Sequence, residues 1–326
     1  MRDDFVGDCV IALDVGGTAM KGALLDRELK PLRTVRRATP RRSGPEAVVA
    51  ETATVLRDLH RSAATRELTV HGAGVVVPGI VDEENRTAVY SANLGWRDLP
   101  LAALLEDASG LPVSLGHDVR AGGAAECRLG AARDARDVWF VPVGTGISAA
   151  VFCDGRPVRA HGYAGELGHV VVEPDGEPCS CGARGCLETV ASAAAIAAAY
   201  SARSGRRVDG AAGVGALLAQ GDDPDARAVW DRAVDALATA FATVAALLAP
   251  EVVVLGGGLA EAGALLLDPL RASLARRLTF QRRPELVPAA LGDMAGCLGA
   301  GLAAWRATDG AMPLGRPARE RPEAAS

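Results

Sequence analysis

The chain has 326 residues, 49% apolar and 23% charged, with 35 basic against 40 acidic residues for a formal net charge of −5. That length suffices for two domains with their own cores, and the acidic balance leaves no broad basic field for nucleic acid. With no membrane-length apolar run and no basic-then-apolar leader, a cytoplasmic protein with neither membrane nor nucleic-acid partners is expected.

Near the start, "CVIALDVGGTAMKGALLD" (Cys9 to Asp26) runs from an apolar stretch through Gly16-Gly17 into an alternating one. That pattern predicts strand, tight turn, strand. A helix is predicted over 46–60, then a buried strand over 70–77 that Pro78-Gly79 breaks. "VWFVPVGTGISAAVFCDG" (Val138 to Gly155) repeats the opening unit, with Gly144-Thr145-Gly146 at its turn. Two copies of one unusual unit predict a duplicated domain. Apolar residues at helical spacing from Val229 to Leu248 predict a long packed helix ending at Pro250. A short strand then enters Gly256-Gly257-Gly258, and 294–307 reads as a last helix whose small residues permit close packing. Strands alternating with helices predict an α/β protein. The tail after 307 is rich in Pro, Arg and Glu with little to bury, and disorder is expected there.

Glycine turns after strands accept phosphate because the backbone approaches closely and aims its N–H groups at the anion. One such turn alone is more often a plain hairpin. Gly16-Gly17-Thr18 is neither a Walker loop nor a dinucleotide fingerprint, since no Gly-Lys-Ser/Thr closes it and a strand follows. Three turns together, with Asp14 placed to hold Mg²⁺ through water, fit a two-lobed enzyme that closes on a nucleotide.

Seven cysteines, an odd number, fit a reducing compartment. Cys179, Cys181 and Cys186 lie within eight residues, too close for all to pair. A tetrahedral zinc needs a fourth ligand, and His169 is the nearest candidate; free structural thiols are the other reading. A metal-held loop would also make Glu166 and Glu188 candidates for holding a ligand, although either glutamate alone reads as a solvated surface carboxylate. Asp118, opening a small-residue helix, reads by itself as an N-terminal cap. Trp96 reads as core.

Together "LDVGGTAMKG", "VPGIVD", "NLGWRDLPL", "VGTGISAAV", "AGELGHVVVEPDGEPCSCGARGCLE" and "VVLGGGL" resemble the ROK family of bacterial glucokinases, other hexose and N-acetylhexosamine kinases, and sugar-responsive repressors. The resemblance runs from Val10 to Trp305, and the cysteine motif is its most specific part. It implies the duplicated actin-like, ribonuclease-H-like ATPase fold, with two domains around a cleft. Residues 1–116 would form the first domain and 117–293 the second, with 294–307 packing back on the first and 308–326 a disordered tail.

By that resemblance the protein is an ATP-dependent kinase transferring the γ-phosphate to a hexose hydroxyl, with glucose the leading acceptor. An N-acetylhexosamine or a sugar-like cyclitol is the alternative, and a sugar-binding regulator the non-enzymatic one. Family repressors carry a helix-turn-helix domain ahead of the kinase-like region, and none is expected here. The resemblance makes Asp118 the general base. It assigns Asn93, His117, Glu166, His169 and Glu188 to the sugar. Asp14, Gly16, Gly17, Thr18, Lys21, Gly144, Thr145, Gly146, Gly256, Gly257 and Gly258 would serve ATP and Mg²⁺. His169, Cys179, Cys181 and Cys186 would hold a structural Zn²⁺, in a homodimer. One departure stands out: His117 occupies the position where the family pattern has asparagine, and Val119-Arg120 follows, setting a positive charge near the acceptor or phosphate region.

Overall fold

The computed structural model describes residues 7–221 and 223–309. Strands β1 (Gly7–Val15), β2 (Ala19–Leu25) and β3 (Pro31–Ala38) are followed by helix α1 (Pro45–Ala64) and strand β4 (Leu68–Val77). A small sheet of β5 (Ile80–Asp82), β6 (Thr87–Ser91) and β7 (Trp96–Leu99) intervenes before α2 (Leu101–Ser109) and β8 (Val113–His117). Helix α3 (Asp118–Leu129) leads to β9 (Val138–Pro142), β10 (Ala150–Cys153) and β11 (Arg156–Pro157). Helices α4 (Leu187–Ala191), α5 (Ala193–Ser204), α6 (Gly210–Gln220) and α7 (Pro224–Leu248) follow. The chain closes with β12 (Val252–Gly256), α8 (Ala264–Arg277), β13 (Glu285–Pro288) and α9 (Ala295–Asp309).

The two large sheets have one topology. The first runs β3-β2-β1-β4-β8 and the second β11-β10-β9-β12-β13. In each, three consecutive strands pair antiparallel and two later strands add in parallel to the first of them. Each sheet therefore orders its strands 3-2-1-4-5, which bears out the duplicated α/β architecture.

Burial explains why the expected alternation in β2 is incomplete. Met20 and Leu24 pack with Leu56 and Leu59 of α1, while Ala23 and Leu25 pack on the opposite face with Leu302 and Trp305 of α9. With both faces covered, the strand is apolar throughout its second half. The second sheet likewise has α3 on one face, through Phe140 and Phe152, and α7 on the other, through Val141 and Val151.

Helices α3 and α9 cross between the two sheets. Their crossing depends on the missing side chain of Gly299, whose added Cβ would lie 2.0 Å from the Ala121 carbonyl oxygen. Helix α9 reaches Asp309, two residues beyond the expected end, so 308–309 belong to it; the rest of the expected tail, 310–326, lies outside the described residues. Trp96 is buried and donates its indole N–H to the Pro45 carbonyl at 3.1 Å, as the core reading expected. Among the described residues no helix is long and apolar enough to cross a membrane.

Candidate active site and cysteine cluster

A cavity of about 530 Å³ opens between the sheets, lined by Asp14 and Lys21 from the first, by Asp118, Val119 and Gly122 of α3, and by Gly256, Gly257 and Gly258 after β12. Strand β1 delivers Asp14 there one residue before its end, and β12 ends in the glycine run. The N-terminal turns of α3 and α9 both face this space, so two helix dipoles point their positive ends into it.

The second and third glycine turns abut. Val143 donates its N–H to Gly256 O at 2.9 Å, and Leu259 returns one to Val143 O at 3.1 Å. Gly257 has φ of 76°, and an added Cβ would stand 2.4 Å from Val143 O, so only glycine fits. Gly16, Gly17, Thr18, Gly144, Thr145 and Gly146 are not part of this cavity's lining. The first turn is closed by Gly16 donating to Ala19 O at 3.0 Å, with the Thr39 hydroxyl donating to Gly16 O at 2.6 Å. Asn93 is exposed beside it, its Cβ 3.6 Å from where a Gly17 Cβ would be.

Asp118 is the first residue of α3, and the cap is its neighbour. His117 Nδ1 accepts from the Arg120 N–H at 3.3 Å, so the imidazole proton sits on Nε2, 3.4 Å from Asp118 Oδ1. Burial, before the opposing pull of Asp118, lowers the His117 pKa and keeps the ring neutral. Asp118 Oδ1 also accepts from the Val119 N–H at 2.7 Å. Asp118 thus faces the cleft while His117 stays 7% exposed and lines a different cavity, behind α3. Arg120 also points away from the expected acceptor and phosphate region. It is 5% exposed, bonds Glu83 Oε1 through Nε at 2.9 Å, and reaches the carbonyls of Val81 and Gly162. The cause is helical periodicity: residues 118 and 120 of one helix project from different faces.

Asp14 sits among like charges. Burial first, then Asp118 and Asp293 against the counter-pull of Lys21, raise its pKa to about 7. Lys21 Nζ lies 3.9 Å from Asp14 Oδ2 and donates to the Asp293 carbonyl at 2.8 Å. Asp293 and Glu261 also line the cavity, and neither was found from the sequence. Asp293 carries no motif of its own; it arrives because the turn before α9 lands on Lys21. Glu261 follows the third glycine turn within "GGGLAEAG", the one signal pointing to it.

Glu188, in the first turn of α4, accepts from the Ile147 N–H at 2.8 Å. An added Cβ on Gly146 would lie 2.6 Å from its Oε2, so this carboxylate rests against the second glycine turn. Glu166 is exposed, with Oε2 3.9 Å from His169 Nε2.

The other ring nitrogen of His169, Nδ1, is 3.6 Å from Cys179 Sγ, and Cys181 Sγ is 3.7 Å from Cys186 Sγ. All four ligand atoms lie within 4.8 Å of one another. The edge of a tetrahedron with metal–sulfur arms of about 2.3 Å is about 3.8 Å, close to these separations, so the cluster fits zinc in size and donor type. Burial, reinforced by Cys179 and Cys181, pushes the Cys186 thiol up to about 12, a shift that a bound cation reverses. Local pairing of Val171 with Cys186 and of Pro178 with Arg184 shapes the loop that gathers these groups.

Residues 10–307 match the ROK family. A glucokinase from Thermotoga maritima is 33% identical over 309 residues, covering 89% of this chain and 95% of that protein. An N-acetylmannosamine kinase from Citrobacter koseri is 34% identical over 255 residues, covering 77% and 84%. The ROK hexokinase structure from Thermus thermophilus superposes with a TM-score of 0.81 at 32% identity, covering 93% of this chain and 100% of that one. A ROK glucokinase from Streptomyces griseus, solved with glucose and AMPPNP, gives 0.76 at 30%, covering 91% and 99%. With an actin-like two-domain fold and a family match over nearly its whole length, the chain belongs to the ROK family.

Proposed function

We propose that the protein is an ATP-dependent sugar kinase with glucose as its leading acceptor and Asp118 as the general base. The observation that carries this reading is the setting of Asp118: one carboxylate at a helix N-terminus, facing a cavity that also takes in Asp14, Lys21 and the third glycine turn. The acceptor hydroxyl oxygen would attack the γ-phosphorus as Asp118 takes its proton, and ADP would leave with the electrons of the broken P–O bond. The three glycine turns, with Thr18 and Thr145, would cradle the phosphates, and Lys21 would neutralise part of their charge.

Asp14, beside Asp118 and Asp293, would hold Mg²⁺; its pKa is raised by burial first and by these neighbouring carboxylates second, and a bound cation would favour the charged form. Bound there, the ion would neutralise charge developing on the phosphates. Asn93, Glu166, His169 and Glu188 would hold the sugar. His117 would act through Asp118, orienting the carboxylate by its Nε2–H. Asparagine offers the same pairing of one acceptor for the helix cap and one donor beyond it, so the exchange preserves the function of the position. His169, Cys179, Cys181 and Cys186 would bind a structural zinc, with every position filled by protein.

The test is an ADP-release assay with ATP and Mg²⁺ across glucose, mannose, N-acetylglucosamine, N-acetylmannosamine and cyclitols, on the wild type and on Asp118→Asn. Turnover strongest on glucose supports the leading reading. Turnover confined to N-acetylmannosamine favours the second, to which the 34% identical relative points. In Asp118→Asn, kcat should fall by about 10²–10⁴ with sugar binding within a few-fold; near-normal kcat removes Asp118 from the role.

A further inference from the structure

A second cavity, of about 250 Å³, lies behind α3, with Glu83, His117, Arg120 and Arg159 in its wall. From there Arg120 reaches two other segments. Its Nε donates to Glu83 Oε1 at 2.9 Å, Nη2 to the Val81 carbonyl at 3.3 Å and Nη1 to the Gly162 carbonyl at 3.4 Å. Val81 lies in β5 and Glu83 just after it, whereas Gly162 belongs to the stretch that follows β11. One planar guanidinium thus ties α3 to a segment before it in the chain and to another well after it. A further bond joins those two segments directly, as Arg159 Nε donates to Glu83 Oε2 at 2.6 Å. Burial by itself would raise the Glu83 pKa, but Arg120 and Arg159 outweigh it and hold the carboxyl below its ordinary value.

The stretch held in this way has a backbone that its own residues disfavour. Ala160 and His161 have φ of 46° and 53°, in the left-handed region that side chains strain to enter. Gly162, at φ 94°, packs so closely on β5 that an added Cβ would stand 2.7 Å from the Val81 oxygen. Such conformations persist where their surroundings over-determine them. The same stretch runs straight on through Gly165, whose carbonyl accepts from the Ala149 N–H at 2.7 Å, into Glu166. Arg120 therefore stands between two groups assigned to the acceptor. Asp118 opens its own helix on the cleft side, and Glu166 ends the strained stretch it grips from behind.

We propose that Arg120 is a positioning residue of the sugar site: by binding the Val81–Glu83 and Arg159–Gly162 segments to α3, it holds Glu166 in register with Asp118. This inference rests on the kinase reading above and gives a role in it to a residue that faces away from the cleft.

The test compares wild type, Arg120→Lys, Arg120→Met and the double variant Arg120→Met/Glu83→Gln in the full chain. Steady-state kinetics use glucose, or N-acetylmannosamine should turnover be confined to it, and amide hydrogen exchange is read from peptides covering 159–169 and α7. Lysine keeps the charge, but its compact ammonium lacks the fork that spans the three acceptors; methionine removes both. In Arg120→Lys and Arg120→Met the sugar KM should rise about tenfold, the order of one lost charge-assisted contact, while kcat and the ATP KM stay near wild type. Exchange over 162–164 should quicken by about tenfold, with α7 unchanged. The double variant removes the carboxylate that methionine leaves undercompensated, so it should regain thermal stability and keep the raised sugar KM.

A sugar KM restored in the double variant would trace the loss to the buried charge instead of to positioning, and overturns the proposal. Unchanged exchange over 162–164, an unchanged sugar KM in Arg120→Lys, or a sugar and ATP KM that rise together each overturns it as well. Arg120→Lys keeps a cation opposite Glu83, so it decides the matter even if methionine loosens the fold. A wild type that turns over no acceptor removes the kinase reading itself and this inference with it, a failure seen before any variant is compared.

Discussion

Glu188 and Ile147 are joined by a 2.8 Å hydrogen bond from the Ile147 N–H to Glu188 Oε2, which ties the helix after the cysteine cluster to the second glycine turn. A residue assigned by resemblance to the sugar thereby also supports the turn assigned to phosphate. Truncating Glu188 to Ala should raise KM for ATP as well as for sugar. Loss of a hydrogen bond to a charged group, about 1.5–3 kcal/mol, corresponds to roughly a 10- to 100-fold rise. Glu188→Gln retains an acceptor oxygen and should restore most of the ATP KM. Steady-state kinetics with each substrate varied decides it; an unchanged ATP KM in the Ala variant means the bond does not support the turn.

His117 should tolerate asparagine and not alanine. His117→Asn keeps an acceptor for the Arg120 N–H and a donor toward Asp118, whereas His117→Ala removes both and the α3 cap. Cap loss costs about 0.5–2 kcal/mol, a Tm decrease of a few degrees in domains of this size. Thermal unfolding and kcat should move together in the Ala variant and stay near wild type in the Asn variant. If Ala lowers Tm while kcat and its pH profile hold, His117 is a cap and nothing more.

Asp14 should make the metal-free protein less stable as pH rises. Its folded pKa of about 7 lies above the ordinary 3.8, so the stability linked to its proton is full below the lower value and lost as pH rises through the higher one. Between pH 5 and 8, unfolding temperatures of chelator-treated Asp14→Asn should fall less than those of wild type. Parallel curves for the two proteins would show that Asp14 does not titrate in this window.

Cys181→Ser should release metal and stability together. A protein purified with one zinc per chain should lose it in this variant, and Tm should drop on the order of 5–10 °C. Elemental analysis beside thermal unfolding checks both; a metal-free variant with wild-type Tm would show that the cluster carries no structural zinc.

How much of this was legible in advance follows from the range of the forces involved. Strands β1 and β2 with their glycine turn, the repeat at β9 and β10, helix α7 and the Cys179–Cys186 loop are local patterns. Hydrophobic period, turn residues and ligand spacing declare them within a few residues. The chain order alone therefore determined a duplicated α/β protein with three glycine turns and a compact thiol cluster.

Which way the side chains of α3 point was decided only by the tertiary structure. Asp118 and Arg120 are two residues apart, yet one enters the cleft and the other a buried ion pair with Glu83, because adjacent cavities lie on two faces of one helix. Asp293 reached the site through contact with Lys21, 272 positions earlier in the chain. The second cavity likewise gathers residues from 76 to 306. Such groups are assembled by the packing of the two sheets around α3 and α9, and no periodicity within one segment encodes a meeting between segments so distant.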